Sequence, residues 1–429
     1  MSKELDGDQV AGNGLLDRRV FLRQGGGLIG AVGAAVGLAG YSRPVEAETL
    51  VVPEWTKKPG ALFEPYTQPS KFETKVVRGP IPPSPYNGIG PGSVRAPLQH
   101  LEGMITPNGV HYERSHNGVP DIDPAAHRLL IHGLVKKPLV FTLDALSRYP
   151  MTSRIAFVEC AGNSGGMYAD KPAEGTAQTL HGLVSCAEWT GVPLAMLLEE
   201  AGVDPSAKWL VAEGADAAAM SRSVPIEKVM DDALVALYQN GERIRPANGY
   251  PMRLLLPGWQ GNMNVKWLRR IKLLREPAQT KDETSKYSLL LKEGKVAQFH
   301  FPLDAKSIIT KPSPGINMTG PGLYEISGIA WSGNGKITKV EVSADGGKSW
   351  AEAALSGPVL SKAITRFRLP WRWSGGPAVL QSRAIDETGY VQPTREKLIS
   401  LRGLRSQYHC NLITSWGVGA NGEVKHVYA

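Results

Sequence analysis

The chain has 429 residues, of which 42% are hydrophobic and 21% charged, a composition that excludes a disordered chain and a polytopic membrane protein. The net charge of +8 comes from scattered Lys and Arg residues without a long basic block, which argues against a nucleic-acid partner and favours a small anion or an acidic protein. Its three cysteines include no CxxC pair, so we expect neither a zinc knuckle nor a haem on this chain.

The first 47 residues have the layout of an export signal. Arg18 and Arg19 precede Val20-Phe21-Leu22, and a run of small and apolar residues extends from Gly25 to Gly40. The run is shorter than the roughly 20 apolar residues that a membrane-spanning helix needs, and the arginine pair is typical of the twin-arginine class. We therefore expect a periplasmic protein with no membrane segment once residues 1–47 are removed. A frayed N-terminal helix is the alternative.

Three further segments follow. Pro and Gly are frequent over residues 48–97, which predicts an extended arm. Over residues 98–302, short strand-like runs mix with helical candidates at Leu194–Gly202 and Pro225–Tyr238, so we predict an α+β domain. Over residues 303–429, short alternating strands separated by Gly-rich turns predict an immunoglobulin-like β-sandwich.

Cys160 is the first candidate for chemistry. It ends the apolar run Ile155–Glu159, and the small residues Ala161 and Gly162 after it allow the backbone to approach a bulky group. A single cysteine is a nucleophile, a metal ligand or a buried apolar residue. The residues around Cys160 leave all three roles open.

The segment Glu159 to Asn163 resembles the cysteine signature of the sulfite oxidase family of molybdenum-cofactor oxidoreductases. Other blocks that are similar to this family follow in the family's order: His111 to His116, Glu213 to Asp216, Gly249 to Gly258, Val265 to Leu268, Gly328 to Gly333, Ser343 to Trp350 and Ser382 to Asp386. The resemblance covers nearly all of the chain after the signal. It implies a molybdopterin-binding domain over 98–302 and a dimerisation domain over 303–429.

The same resemblance implies a site. Cys160 would be the thiolate ligand of molybdenum in a molybdenum-molybdopterin cofactor. The other residues that it implies for cofactor binding are Tyr112, Arg114, His116, Asp216, Asn248, Arg253, Asn264 and Lys266. Arg and Lys suit such a site because they supply charge and donors to a phosphate. Beside Cys160, the resemblance implies catalytic roles for Arg114 and Arg402 near a bound anion and for Tyr287 and Trp189 as pocket aromatics.

Departures from the animal sulfite oxidases indicate the bacterial branch of the family. Ser164-Gly165-Gly166 stands where those enzymes carry an arginine pair, and Asn248 and Asn264 replace histidines. The block from Leu180 to Gly191 looks like the sulfane dehydrogenase molybdenum subunit of the Sox sulfur-oxidation system. This likeness implies a sulfane sulfur carried as a persulfide on a partner's cysteine, a separate c-type cytochrome as electron acceptor, and a homodimer within a heterotetramer.

Alternatives remain for the activity and for three side chains. A periplasmic sulfite dehydrogenase acting on free sulfite, or a reductase, stays within the family, whereas a non-catalytic secreted binding protein belongs to another class. His181 and Cys186 are either core residues or groups near the metal, and a disulfide between Cys186 and Cys410 is open.

Overall fold

The computed structural model describes residues 9–17, 53–59, 64–80, 92–404 and 406–429. The predicted export signal lies outside these ranges except for residues 9–17, and parts of the predicted arm also lie outside them. Within the described ranges, none of the helices has both the length and the apolar character needed to cross a membrane.

The strands before residue 300 are short. They are β1 (Gln9–Ala11), β2 (Leu15–Leu16), β3 (Gly92–Val94), β4 (Glu113–Ser115), β5 (Leu129–Gly133), β6 (Leu139–Phe141), β7 (Thr152–Glu159), β8 (Val184–Pro193), β9 (Trp209–Gly214), β10 (Ser221–Pro225), β11 (Leu234–Gln239), β12 (Glu242–Arg243), β13 (Arg253–Leu255), β14 (Leu268–Leu274), β15 (Leu289–Leu290) and β16 (Val296–Ala297).

Helices lie among these strands and near the C-terminus. They are α1 (Leu143–Leu146), α2 (Ala177–His181), α3 (Leu194–Ala201), α4 (Ile226–Asp232), α5 (Lys281–Thr284) and α6 (Arg395–Arg402). The strands after residue 300 are β17 (Lys306–Lys311), β18 (Gly322–Trp331), β19 (Ile337–Ser343), β20 (Ala351–Glu352), β21 (Ala354–Leu355), β22 (Thr365–Trp373), β23 (Ala378–Asp386), β24 (Ser415–Val418) and β25 (Val424–Val427).

Two mixed layers build the first half of the chain. One sheet has the order β10-β9-β14-β5-β6, with β14 and β5 parallel, and the other has the order β12-β11-β8-β7 with β13 beside β11. Leu197 of α3, Leu237 of β11 and Ile271 of β14 are fully buried in one core, so both sheets and the helix share it. The predicted α+β class is confirmed.

Helix predictions in this half have two outcomes. The helix expected over Leu194–Gly202 is present as α3, and Gly202 ends it with a φ of 68°, a conformation that favours glycine. The helix expected over Pro225–Tyr238 is wrong beyond α4. The apolar residues that follow α4 form β11 instead, because they pair with β8 and β13 and lie buried between them.

Two sheets form the second half of the chain. One contains β17, β18, β21 and β22, and the other has the order β20-β19-β23-β24-β25. Trp331, Phe367, Trp371 and Trp416 are fully buried and belong to one core that residues of both sheets share. Two antiparallel sheets that pack on one shared core are typical of a β-sandwich, and this prediction is confirmed.

The N-terminal hairpin of β1 and β2 extends this sandwich. Strand β2 pairs with β22 through Leu15 and Trp371, so residues inside the predicted export signal belong to the sheet of β22. This arrangement was not expected from the sequence, where the whole of 1–47 was set apart from the fold. In the first half, β3 likewise pairs with β4 and ties the end of the predicted arm to residues Glu113–Ser115.

Candidate active site

Cys160 follows the last residue of β7 and is half-buried. Its amide donates to the carbonyl of Leu183 at 2.9 Å, and the amide of Asn163 donates to the carbonyl of Cys160 at 2.9 Å, so the chain turns tightly after the strand. Burial raises the pKa of the Cys160 thiol, while the Gly162 amide and the Arg114 cation lower it. A bound metal ion would displace the thiol proton, because metal ligation requires the thiolate.

Two cavities meet at Cys160. We call the first the inner cavity. It is lined by all the residues expected to bind the cofactor and by Tyr287: Tyr112, Arg114, His116, Cys160, Asp216, Asn248, Arg253, Asn264, Lys266 and Tyr287. The structure therefore brings together residues that lie more than 170 positions apart in the chain. Their roles toward a cofactor stay predictions.

Basic side chains reach the inner cavity from several loops. Arg253, at the start of β13, is buried and donates to the carbonyls of Asn248 at 2.8 Å and Asn264 at 2.9 Å, with its guanidinium over the ring of Trp189. Lys266 donates to the carbonyl of Ala247 at 2.8 Å. Burial lowers the pKa of Arg253 to about 10 and that of Lys266 to about 7. An anion bound here would favour the charged form of Lys266.

The inner cavity also holds buried polar atoms without a partner. The Nε atom of Arg253 and the Nε2 atom of His111 make no hydrogen bond, although both are shielded from solvent. His111 is neutral and its Nδ1 donates to the carbonyl of Tyr112 at 3.0 Å, so its Nε2 is an acceptor, whereas Nε of Arg253 is a donor. Buried polar groups are almost always paired, so these two atoms indicate a polar ligand at this place. The residues therefore fit an anionic pterin cofactor that carries a phosphate. The side chain of Asn264, in contrast, is engaged by the backbone of Leu256, Trp259 and Gln260.

Close backbone contact brings the inner cavity against β7. A Cβ atom placed on Gly261 would lie 2.8 Å from the carbonyl oxygen of Glu159 and 2.8 Å from the hydroxyl of Tyr112. No side chain other than hydrogen fits there without a shift of the backbone. Gly261 thus sets how near the loop before β14 comes to the strand that ends at Cys160.

We call the second cavity the outer cavity. Its wall is formed by Ser93, Arg114, Cys160, Gly162, Gly165, Leu183, Tyr287, Gln407 and Tyr408. Among these lining residues, Arg114 carries the only formal charge. The rings of Tyr287 and Tyr408 lie 5.2 Å apart, and the hydroxyl of Tyr287 is 2.5 Å from Nε2 of His116. Burial raises the pKa of the Tyr287 phenol and lowers the pKa of His116 to about 4, so both groups are neutral at pH 7.

Two predicted catalytic residues lie elsewhere. The Trp189 ring is fully buried, and its indole N–H donates to the carbonyl of Ala156 at 3.2 Å, because Trp189 faces the core from the β7–β8 pair. It stacks with Arg253, and the structure brings it to neither cavity. It supports a basic residue of the inner cavity instead.

Arg402 is the second predicted catalytic residue that lies outside both cavities. It ends α6, is buried, and donates to the hydroxyl of Tyr168 at 3.2 Å and to the carbonyls of Tyr408 and His409. All three hydrogen bonds are made by its Nη1 atom, and Arg402 lines neither the inner nor the outer cavity. It holds in place the segment that presents Tyr408 to that cavity.

Tyr408 and Gln407 were missed by the sequence interpretation. They lie in a loop after α6. In this loop, the sequence offered only Cys410 as a candidate, for a disulfide. All three cysteines are free, and Cys186 and Cys410 belong to different hydrophobic clusters, so the disulfide is absent. An aromatic residue in an otherwise polar loop was the available signal.

Behind Cys160 lies a buried network centred on Glu159. Its carboxylate accepts from Nζ of Lys306 at 2.8 Å, from the Trp331 indole at 2.7 Å and from the Asn163 amide at 2.9 Å. Both side chains of the Glu159–Lys306 ion pair are at most 5% exposed. Because Lys306 and Trp331 belong to the β-sandwich, the strand that carries Cys160 is held from the other half of the chain.

The same network extends under the turn after Cys160. Nζ of Lys306 also donates to Oγ of Ser164 at 2.7 Å, and that hydroxyl lies 2.7 Å from Nδ1 of His181. His181 is fully buried, so it supports the turn from below and lines neither cavity. Its predicted core role agrees with this position.

Comparison with known proteins identifies the family of the chain. Residues 116–281 match the oxidoreductase molybdopterin binding domain, and residues 297–415 match the Mo-co oxidoreductase dimerisation domain. The chain belongs to this oxidoreductase family. It is a molybdopterin-dependent oxidoreductase of the sulfite oxidase type, as the resemblance of its motifs implied.

Several relatives are similar over long stretches. The sulfane dehydrogenase SoxCD from Paracoccus pantotrophus matches with a TM-score of 0.85 and 46% identity, over 88% of this chain and 97% of that one. Mouse mitochondrial sulfite oxidase is 30% identical over 75% of this chain, and tomato nitrate reductase is 32% identical over 73% of it. These matches span 63% of the mouse protein and 38% of the tomato protein.

Removal of the buried lysine tests the network behind Cys160. In Lys306→Met, the Glu159 charge loses its partner in the core, which costs about 3–5 kcal/mol in the free energy of unfolding. Lys311→Met, at the other end of the same strand, removes an exposed pair with Glu102 and costs at most about 1 kcal/mol. Denaturant unfolding of both variants measures the difference. Equal losses would contradict a special role of the buried pair.

The titration of His111 gives a second test. Burial lowers the pKa of His111 from 6.5 to about 3, so the unfolded chain binds a proton between these values that the native chain does not. Stability therefore falls as the pH falls below 6.5. His111→Gln removes this contribution and reduces the slope of unfolding free energy against pH, between pH 6 and 4, by up to about 1.4 kcal/mol per unit. An unchanged slope would mean that His111 titrates normally.

Proposed function

We propose that this protein is the catalytic molybdenum subunit of a sulfane dehydrogenase, which oxidises a sulfane sulfur held as a persulfide on a carrier protein. The observation that carries the proposal is the outer cavity, which reaches Cys160 and in which Arg114 is the only charged residue among the lining residues that the structure describes. The likeness to the sulfane dehydrogenase from Paracoccus pantotrophus, at 46% identity, supports it.

The small amount of positive charge on the described wall of the outer cavity favours a persulfide over free sulfite as the substrate. A small dianion needs converging positive charge in a partly dry site. Here Gly165 contributes no side chain at the wall, and Arg402 is not among the residues that line the cavity. A sulfur atom on the end of a protein arm needs less charge and more open, apolar space, which Leu183 and the two tyrosines provide.

The residues of this chain have separable tasks. The cofactor, when bound, supplies oxygen-atom transfer and accepts two electrons, since that chemistry belongs to the metal. Cys160 would hold the metal by its thiolate. Arg114 neutralises negative charge on the sulfur group, and the neutral Tyr287 phenol, next to His116 at 2.5 Å, offers a hydrogen bond at the boundary of the two cavities. Tyr408 and Leu183 limit the access of water.

Partners and location complete the proposal. We infer export to the periplasm by the twin-arginine route, which Arg18 and Arg19 support. Electrons pass to a separate c-type cytochrome, consistent with a chain that has no CxxC pair to attach haem. The matched dimerisation domain over residues 297–415 supports a homodimer of this chain within a heterotetramer.

Cofactor content tests the metal ligand. Wild-type protein from a host that makes molybdopterin should contain about one molybdenum per chain and yield a fluorescent pterin on oxidation. Cys160→Ser should lower turnover by roughly 100-fold or more, because the thiolate ligand is lost. Cys186→Ala, which alters a buried cysteine that lines neither cavity, is the matched control. Full activity of Cys160→Ser would exclude this reaction at Cys160.

Substrate preference tests the sulfane assignment. Reduction of cytochrome c should show a kcat/KM at least about tenfold higher for a persulfide on a carrier peptide than for free sulfite. Tenfold corresponds to about 1.4 kcal/mol, less than the roughly 1.5–3 kcal/mol of one charge-assisted hydrogen bond, and the described lining residues offer a sulfite dianion one cation. Gly165→Arg adds charge to the outer cavity and should raise the value for sulfite while lowering that for the persulfide. Gly165→Ala adds bulk without charge and serves as control. A wild-type preference for free sulfite would identify a sulfite dehydrogenase instead.

A further inference from the structure

The hairpin of β1 and β2 is built as part of the β-sandwich, although it precedes the rest of that domain by more than 280 residues. Its turn places Asn13 at a φ of 59° and Gly14 at a φ of 86°. An Asn-Gly pair with two positive φ angles is the preferred tight turn between antiparallel strands, since its twist matches theirs. The local sequence therefore specifies a hairpin at this place.

Its apolar side chains enter the sandwich core. Ala11 is 3% exposed, Leu15 0% and Leu16 3%, and Ala11 and Leu15 share a cluster with the buried Trp371 of β22. Val10 points the other way and is 39% exposed. Complete burial of a leucine is a large favourable contribution, so the hairpin is bound by its own apolar face.

Polar contacts fix the hairpin in one register. The Trp371 indole donates to the carbonyl of Asn13 at 2.7 Å, the Asn13 side-chain amide donates to the carbonyl of Ala344 at 2.7 Å, and the amide of Arg372 donates to the carbonyl of Gly14 at 2.8 Å. Trp371 and Arg372 belong to the sheet of β22, while Ala344 follows β19 of the opposite sheet. The hairpin thus binds a site that exists only when both sheets are assembled.

Two glycines allow the close approach. A Cβ atom on Gly14 would lie 2.1 Å from the carbonyl oxygen of Arg372, and one on Gly12 would lie 2.4 Å from a carboxylate oxygen of Asp345. The amide of Gly12 also donates to Oγ of Ser349 at 2.7 Å. The segment Gly12-Asn13-Gly14 is therefore fitted to this surface on both sides of the turn.

We propose that residues 9–16 are an intramolecular docking element, which binds the N-terminal leader to the completed β-sandwich and is lost when residues 1–47 are removed. The element lies directly before Asp17 and the Arg18-Arg19 pair, whereas its binding site lies about 330 to 360 residues later. Docking therefore requires that nearly the whole chain has been made and folded. The inference rests on the export route proposed above.

Removal of the leader has a structural consequence. It takes Ala11 and Leu15 out of the core and leaves the Trp371 indole and the Arg372 amide without their acceptors. The end of β22 then becomes an edge with unpaired backbone groups, which is a ready surface for pairing with another extended segment. The uncleaved and the exported protein accordingly differ in the C-terminal domain, far from Cys160.

Hydrogen exchange measures the docking in the uncleaved, full-length protein. Leu15→Asp should speed exchange of the Arg372 amide more than tenfold, because a charge cannot enter the core. Val10→Asp, on the exposed side of the same hairpin, should leave it unchanged. Amides of β23 report whether the sandwich itself stays folded, and Gly14→Val provides a second variant that blocks docking through the turn.

The outcomes separate this inference from the proposed function, since exchange at Arg372 is independent of molybdenum content and turnover. Equal exchange in wild type, Leu15→Asp and Gly14→Val would overturn the docking element, and so would an equal rise in Val10→Asp. In exported wild-type protein, Arg372 should exchange as fast as in Leu15→Asp. Full protection of Arg372 in the exported protein would overturn the loss of the element with the leader.

Discussion

The carboxylate of Glu159 is the interaction on which the site depends. It lies one residue before Cys160 and binds Lys306 and Trp331 of the β-sandwich together with Asn163 of the following turn. A buried ion pair brings little net stability, but breaking it is costly, so it selects one arrangement of the two halves. The position of Cys160 is therefore defined by contacts from both halves and not by its own strand alone.

Around this fixed point, the two cavities differ in their chemistry. The inner cavity is basic and contains buried polar atoms without partners, as expected where a protein binds an anionic cofactor. The outer cavity contains, among the lining residues that the structure describes, two tyrosines and a single arginine. Arg114 and Tyr287 line both, which places them where cofactor and substrate would meet.

Residues remote from the cavities shape them indirectly. Arg402 and Trp189 carry no direct role in the cavities, yet one holds the loop of Tyr408 and the other stacks on Arg253. The N-terminal hairpin shows the same principle at the periphery, since residues 9–16, which lie within the predicted export signal, add Ala11 and Leu15 to the core of the β-sandwich. Long-range packing thus connects parts of the chain that the sequence presents as independent.

The sequence by itself determined the family, the α+β and β-sandwich halves, and the residues that line the inner cavity, because family motifs and short-range hydrophobic patterns are carried by contiguous residues. Tertiary structure alone decided which arginine lines the outer cavity, that Trp189 is a core residue, that Tyr408 joins the outer cavity, and that the residues after α4 become the buried strand β11. The reason is physical: the direction and partners of a side chain depend on neighbours that lie hundreds of residues away, and no local pattern encodes them.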